Sequence, residues 1–248
     1  METEAISTTC DDAFIDFHTH ILPQMDDGAP NTDTAVEMLR RLKRQNVKTV
    51  VLTPHFYTDR ESLADFLSRR ETAFQELMAA AEPLNMELLL GCEMYLTDYI
   101  FHYDNISSLC INSGNCLLTE LPFSGRIGVT VFSRLARLMA TFNIVPVIAH
   151  VERYPGLCGN PDRLQYLSDL GCMTQMNLES LQHGCLQRRR LLKAIEQRMI
   201  HIVGSDCHNL NSRPPEYQDE IRIIQKKLGD KFLDGLMDNA EKALCRFR

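Results

Sequence analysis

The chain has 248 residues, 44% of them hydrophobic and 24% charged, with 12 glycines, 10 prolines and a net charge of −7. This composition excludes collagen, coiled coil and disorder, and at this length a single α/β barrel fits without further division. The acidic balance argues against general nucleic-acid binding, and no apolar run approaches the roughly 18 residues that span a bilayer.

Residues 1–13 read as a flexible leader, polar and without the basic and apolar segments of a signal peptide, which places the protein in the cytoplasm. Residues 14–248 are expected to form one domain. Within them, β-branched apolar runs alternate with helical periodicity and no linker intervenes, the pattern of a parallel α/β fold. The predicted strands are Phe14–His18, Val47–Thr53, Glu87–Cys92, Asn115–Thr119, Ile144–Ala149, Cys172–Asn177 and His201–Gly204. Amphipathic stripes between them include Val36, Leu39 and Leu42; then Phe66, Phe74, Leu77 and Met78; then Leu191, Leu192 and Ile195. From Tyr217 the pattern is helical through Ile221, Ile224, Leu228, Phe232, Leu233 and Leu236 to Leu244. Seven strands with intervening helices, and no glycine-rich phosphate turn after the first, point to a closed or nearly closed barrel. The nine cysteines include no Cys-x-x-Cys pair, so a disulfide framework or thiolate zinc site is not expected; Cys92, Cys116 and Cys172 read as small buried hydrophobes.

Parallel barrels carry their chemistry where strands end. The first strand ends on His18, with His20 just past it; past the second stands His55; past the third, Glu93; past the fourth, Glu120; past the fifth, His150; and the last is followed by Asp206 and His208. The sixth ends at Asn177 without a titratable group. Asp, Glu and His fill 41 of 248 positions, so chance fills six strand ends only about half a percent of the time. Residues two apart in an extended segment share a side, so His18 and His20 can grip one ion while Asp206 and His208 reach the same cavity. Asp27, in Asp26-Asp27-Gly28, adds a ninth donor, although this triplet also reads as a solvated turn before a helix capped by Asn31 or Thr32. Five imidazoles and four carboxylates are too many for one ion and suit two or three, with zinc, manganese or iron compatible. Arg153 and Arg213 follow in loops on the same face. Planar guanidinium groups bind phosphate oxygens in pairs, so they imply a phosphate ester, unless they pair with Glu152 or Glu216 at the surface.

The segments Ile15-Asp-Phe-His-Thr-His-Ile-Leu-Pro-Gln-Met-Asp-Asp-Gly28, Thr53-Pro-His55, Gly91-Cys-Glu-Met-Tyr95, Thr119-Glu-Leu-Pro-Phe123, Pro146-Val-Ile-Ala-His-Val-Glu-Arg-Tyr154 and Ser205-Asp-Cys-His-Asn209 with Arg213-Pro-Pro215 resemble the polymerase and histidinol phosphatase (PHP) superfamily. More narrowly they are similar to the manganese-dependent protein-tyrosine phosphatases of capsule and exopolysaccharide operons in Gram-positive bacteria. The resemblance implies a PHP-type (β/α)7 barrel related to the TIM barrel, with three Mn²⁺ ions, Fe or Zn being alternatives. One ion would take His18, His20, Glu93 and Asp206; a second, sharing Glu93, would take Glu120 and His150; a third would take Asp27, His55 and His208. Arg153 and Arg213 would bind phosphate.

On that reading a metal-activated hydroxide attacks phosphorus without a phosphoenzyme, and Asp206 or His208 assists the leaving group through water. The implied substrate is phosphotyrosine on a protein, an autophosphorylating bacterial tyrosine kinase that controls polysaccharide export. Rim contacts would come from Phe56, Tyr57, Phe123 and Tyr154, with Tyr57 and Tyr154 equally readable as packing residues. A histidinol-phosphate phosphatase shares the metals, and an amidohydrolase shares the His-x-His start. Cys207 to Arg213 fits the Cys-x5-Arg spacing of thiol phosphatases, but that loop lacks the glycines that would cradle phosphate.

Overall fold

The structure, a computed structural model, describes residues 13–123, 127–158 and 160–244. The expected leader lies outside them except for Ala13. Nine strands occur among these residues: β1 (Phe14–Thr19), β2 (Val47–Leu52), β3 (His55–Phe56), β4 (Glu87–Leu90), β5 (Glu93–Tyr95), β6 (Cys116–Glu120), β7 (Val145–Ile148), β8 (Met173–Asn177) and β9 (Ile202–Gly204). All paired strands are parallel, in the orders β1-β2-β4 and β3-β5-β6-β7-β8-β9.

The nine strands make seven staves, because two expected strands are broken. Pro54 has no N–H to continue a ladder, and the chain that was expected to run straight through Thr53 stops at Leu52 and resumes as β3. The expected strand Glu87–Cys92 likewise breaks at Gly91, where a Cβ would stand 2.8 Å from Ile111 Cγ1, and resumes as β5. The breaks are stitched by Gly91 N–H donating to Leu52 O (3.0 Å) and Glu93 N–H donating to Pro54 O (3.0 Å). His55 and Glu93 therefore sit opposite each other in register on short strands of their own. The barrel closes between β1 and β9, where Asp206 N–H donates to His18 O (2.7 Å), His20 N–H to Cys207 O (2.9 Å), and Ser205 N–H to the buried Asp16 Oδ1 (2.8 Å).

Eight α-helices are described: α1 (Thr32–Arg44), α2 (Leu63–Ala81), α3 (Val129–Phe142), α4 (Pro155–Cys158), α5 (Pro161–Leu170), α6 (Cys185–Glu196), α7 (Gln218–Leu228) and α8 (Asp230–Leu244). In α1, Asn31 Oδ1 accepts from Thr34 N–H (2.8 Å), Asp33 stands in the first turn and Arg41, Lys43 and Arg44 in the last, each favourable to the helix dipole. Its buried stripe contains Val36, Leu39 and Leu42, as the spacing predicts. On α2 the buried side is Phe66, Arg70, Leu77 and Ala81, so Met78, expected inside, points outward at 40% exposure. The C-terminal helical run divides at Gly229, whose φ of +92° suits glycine, and α7 and α8 pack on each other.

The larger apolar cluster lies between staves and helices; a second gathers Ile15, Phe17, Val51, Leu118, Val147 and Ile202 with Ala240, Ala243 and Leu244 of α8. Each fully buried Leu or Phe contributes roughly 1.5–3 kcal/mol, so these clusters hold the strand ends that carry the polar side chains described below. Among the described residues no helix is long and apolar enough to cross a membrane.

Candidate metal and phosphate site

The side chains singled out at the strand ends lie close together. β1 carries His18 and the following turn His20; a register irregularity between Asp16 and Thr19 redirects this segment, as bulges do. His18, His20, Glu93, Glu120, His150, Asp206 and His208 are buried, His55 is largely buried, and Asp27 is exposed at the mouth. His150 (φ +34°) and Asp206 (φ +55°) take left-handed backbone conformations, strain that clusters at functional sites.

Glu93 stands at the centre. Its Oε2 lies 3.3 Å from His18 Nε2, 3.4 Å from His20 Nε2 and 3.0 Å from His55 Nδ1, while Oε1 lies 2.9 Å from His150 Nε2. Glu120 Oε1 is 3.6 Å from His150 Nε2. Asp206 Oδ1 lies 3.3 Å and 3.5 Å from Nε2 of His20 and His18. Asp27 Oδ1 lies 3.5 Å from His208 Nε2 and 3.7 Å from His55 Nε2.

Three overlapping sets have donor atoms within 4.8 Å of one another: His20, Asp27, His55 and His208; His18, His20 and Glu93; and His55, Glu93 and Glu120. His20, His55 and Glu93 each stand in two sets, and His150 and Asp206, included in the grouping implied by resemblance, stand in none of them. The donors fit divalent cations on chemical grounds. Glu93 Oε2 and His55 Nδ1, 3.0 Å apart, are buried and make no hydrogen bond of good geometry to each other or to another described residue, and the Nε2 atoms of His18 and His20 face each other at 3.1 Å. A cation satisfies such facing lone pairs.

The electrostatics agree. Burial would push Glu93 up, but the charge of His18 and hydrogen bonds from His150 hold it well below the usual carboxylate range. Glu120, raised first by burial and then by the charge of Glu93, moves up to about 8. Burial opposes protonation of His18 and His20, yet Glu93 and Asp206 beside the former, and Asp26 beside the latter, raise both. Asp206 is held well below its ordinary range against burial, by His18, His20 and Arg213. Without cations the cluster thus retains protons that ligation must displace.

Among the described residues neither Glu152 nor Glu216 forms an ion pair with these arginines. Arg153 Nη2 lies 2.9 Å and Arg213 Nη2 2.6 Å from the same oxygen, Asp206 Oδ2, and Arg213 Nη1 lies 2.8 Å from His208 Nε2. Arg153 also reaches Glu179 (3.2 Å). Two guanidinium groups thus converge on one buried carboxylate oxygen. Cys207 is 1% exposed, and burial followed by the nearby Asp16 pushes its thiol well up, so it is no thiolate nucleophile.

At the rim, Phe123 is 53% exposed and stacks on His150 (5.6 Å, 16°). Tyr57 is partly exposed beneath the Arg60 guanidinium (4.0 Å). Phe56, expected at the rim, is buried against Phe66. Tyr154 proves to be a packing residue: it is buried, and its hydroxyl bonds the backbone of Leu121.

Sequence reasoning missed Asp26, whose Oδ2 accepts from His20 Nδ1 (2.7 Å) and His55 N–H (2.8 Å) and whose Oδ1 accepts from Gly28 N–H (2.9 Å). The Asx turn expected there exists, and it also holds the His20 imidazole and the backbone of His55. Gly28 is needed, since a Cβ would stand 2.1 Å from His20 O. Gln175 and Asn177 were passed over because they carry no charge; the alternation along the sixth predicted strand was the available signal.

The family model for capsular polysaccharide synthesis, CpsB/CapC, matches residues 14–245. The chain is 34% identical over 247 residues to the tyrosine-protein phosphatase CpsB of Streptococcus pneumoniae, covering 93% of this chain and 98% of that protein. It is 30% identical over 236 residues to the tyrosine-protein phosphatase YwqE of Bacillus subtilis, covering 93% and 91%. A crystal structure from work on YwqE and CpsB, described as unique metal-dependent tyrosine phosphatases, superposes with a TM-score of 0.80 at 28% identity over 95% of this chain and 97% of that one.

Proposed function

The chain belongs to the CpsB/CapC family of capsular polysaccharide synthesis, and from that premise we propose that it is a metal-dependent protein-tyrosine phosphatase with a PHP-type barrel. The observation that carries the reading is the pair of guanidinium groups meeting at Asp206 Oδ2 beside overlapping donor sets made by His18, His20, Asp27, His55, Glu93, Glu120 and His208. Its cations are Mn²⁺, three in number, held by His18, His20, Asp27, His55, Glu93, Glu120, His150, Asp206 and His208. Divalent cations there supply an activated water and neutralise phosphoryl charge.

The chain's own residues do the rest. Arg153 and Arg213 exchange Asp206 Oδ2 for phosphoryl oxygens, a swap of one anion for another that leaves neither guanidinium bare. Asp206, held as a carboxylate, orients both arginines, and His208, pulled down by burial and then by the charge of His20, stays neutral. Neither is poised to give up a proton directly; a phenolate, with a parent pKa near ~10, leaves without strong acid assistance. Phe123 offers an exposed face to the tyrosyl ring. The substrate is a phosphotyrosine protein, an autophosphorylating tyrosine kinase that controls polysaccharide export, and the buried free thiols of Cys92, Cys110, Cys116 and Cys172 suit a cytoplasmic location.

The test is turnover of a phosphotyrosine peptide and of histidinol phosphate by protein stripped with chelator and reloaded with Mn²⁺. Activity should vanish and return, with kcat/KM favouring the peptide. Full activity in excess chelator refutes metal dependence, and a preference for histidinol phosphate refutes the substrate assignment.

A further inference from the structure

Strand β8 contributes no charged group to the site, yet its two amides, Gln175 and Asn177, are fully buried against it. We propose that Gln175 is a positioning residue that holds His18 in the tautomer with Nε2 bare, and that with Asn177 it links His18 to Asp206 through one chain of hydrogen bonds of fixed direction. The proposal rests on the metal reading above.

The direction follows from a single backbone group. The His150 N–H can only donate, and it donates to Gln175 Oε1 at 2.8 Å, which fixes the orientation of that amide. The same oxygen lies 3.2 Å from His18 Nδ1, so Nδ1 carries the hydrogen. In the neutral ring Nε2 is then a lone pair, and it is aimed at Glu93 Oε2 (3.3 Å) and His20 Nε2 (3.1 Å). At the other end, Gln175 Nε2 donates to Asn177 Oδ1 (3.0 Å), which obliges Asn177 Nδ2 to donate to Asp206 Oδ2 (2.6 Å). Asp206 Oδ1 is left to face His18 and His20. Gly204 makes room for the chain: a Cβ there would stand 2.8 Å from His18 Cβ and 3.2 Å from Gln175 Nε2. An amide is suited to the task because it accepts on one side and donates on the other, so it bridges a ring N–H and a carboxylate partner without adding charge.

Two measurements test this. In metal-free, 15N-histidine-labelled protein at a pH that neutralises the ring, long-range 1H–15N correlation reads the protonated nitrogen of His18. Nδ1 is expected; protonation at Nε2 in the wild type overturns the proposal without any variant. In calorimetric titration with Mn²⁺, Gln175→Leu is expected to weaken binding about 10- to 100-fold. Gln175→Glu, which keeps an oxygen opposite both His18 Nδ1 and the His150 N–H but loses the donor to Asn177 Oδ1, is expected to recover part of that loss. Wild-type affinity in Gln175→Leu, or equal losses in both variants, overturns the proposal in favour of a packing role. Should Gln175→Leu not fold, the wild-type tautomer and the Gln175→Glu titration decide. Failure of the wild-type protein to bind Mn²⁺ refutes the metal reading instead, and leaves the tautomer measurement standing as the separate test of Gln175.

Discussion

Replacing Arg213 by alanine tests the proposed phosphate-binding part of the site apart from the proposed metal-holding part. The guanidinium makes two contacts, at 2.6 Å to Asp206 Oδ2 and 2.8 Å to His208 Nε2, and its side chain is 29% exposed. A bidentate charge-assisted contact to a phosphoryl group in a dry site is worth about 2–4 kcal/mol, and partial exposure moves the expectation to the lower half of that range. At roughly 1.4 kcal/mol per decade, kcat/KM for a phosphotyrosine peptide should fall about 30- to 150-fold. Arg153→Ala should behave similarly, its side chain being 31% exposed and sharing the same carboxylate oxygen. Because the two arginines share that oxygen, loss of one changes the hold on the other, and the double variant should lose less than the product of the single losses. Arg213→Lys keeps the charge without the fork and should fall between alanine and wild type. The assay is steady-state kinetics beside metal analysis of the same preparations, which should show unchanged metal content. Wild-type kinetics in both alanine variants, or metal lost in proportion to activity, would refute the assignment of these residues to phosphate.

Mn²⁺ binding at pH 7 should release protons, since Glu120, His18 and His20 are raised in the metal-free protein and must deprotonate to ligate. The sign makes affinity fall as pH drops through the neutral range; calorimetry in two buffers of different ionisation enthalpy measures it, and zero release contradicts it. Gly28→Ala forces a Cβ against His20 O and should destabilise the protein by about 1–3 kcal/mol, lowering the melting temperature by roughly 2–12 °C; an unchanged melting curve would show that the loop yields freely. Cys207→Ser should retain most of the activity, because the thiol is buried and held protonated. Complete loss of turnover with metals still bound would restore a thiol mechanism.

The sequence alone determined the alternation of strands and helices and the chemistry at the strand ends. Both are written locally: apolar periodicity selects the element, and in a parallel barrel the end of each strand faces one cavity, so His18, Glu93, Glu120, His150 and Asp206 could be singled out without coordinates. What it could not supply depends on partners distant along the chain. The breaks at Pro54 and Gly91 follow from neighbouring staves and from Ile111, not from the apolar run itself. Whether Arg213 faces Glu216 or Asp206, and whether Tyr154 lies at the rim or in the core, turned on loop paths that no periodicity encodes. Gln175 and Asn177 escaped notice because an amide has no charge to mark it, and its role appears only when the His150 N–H, 25 residues away from Gln175, fixes which way it points. Residue type was legible wherever local geometry assigns direction; only the tertiary structure decided direction where a hydrogen bond across the barrel assigns it.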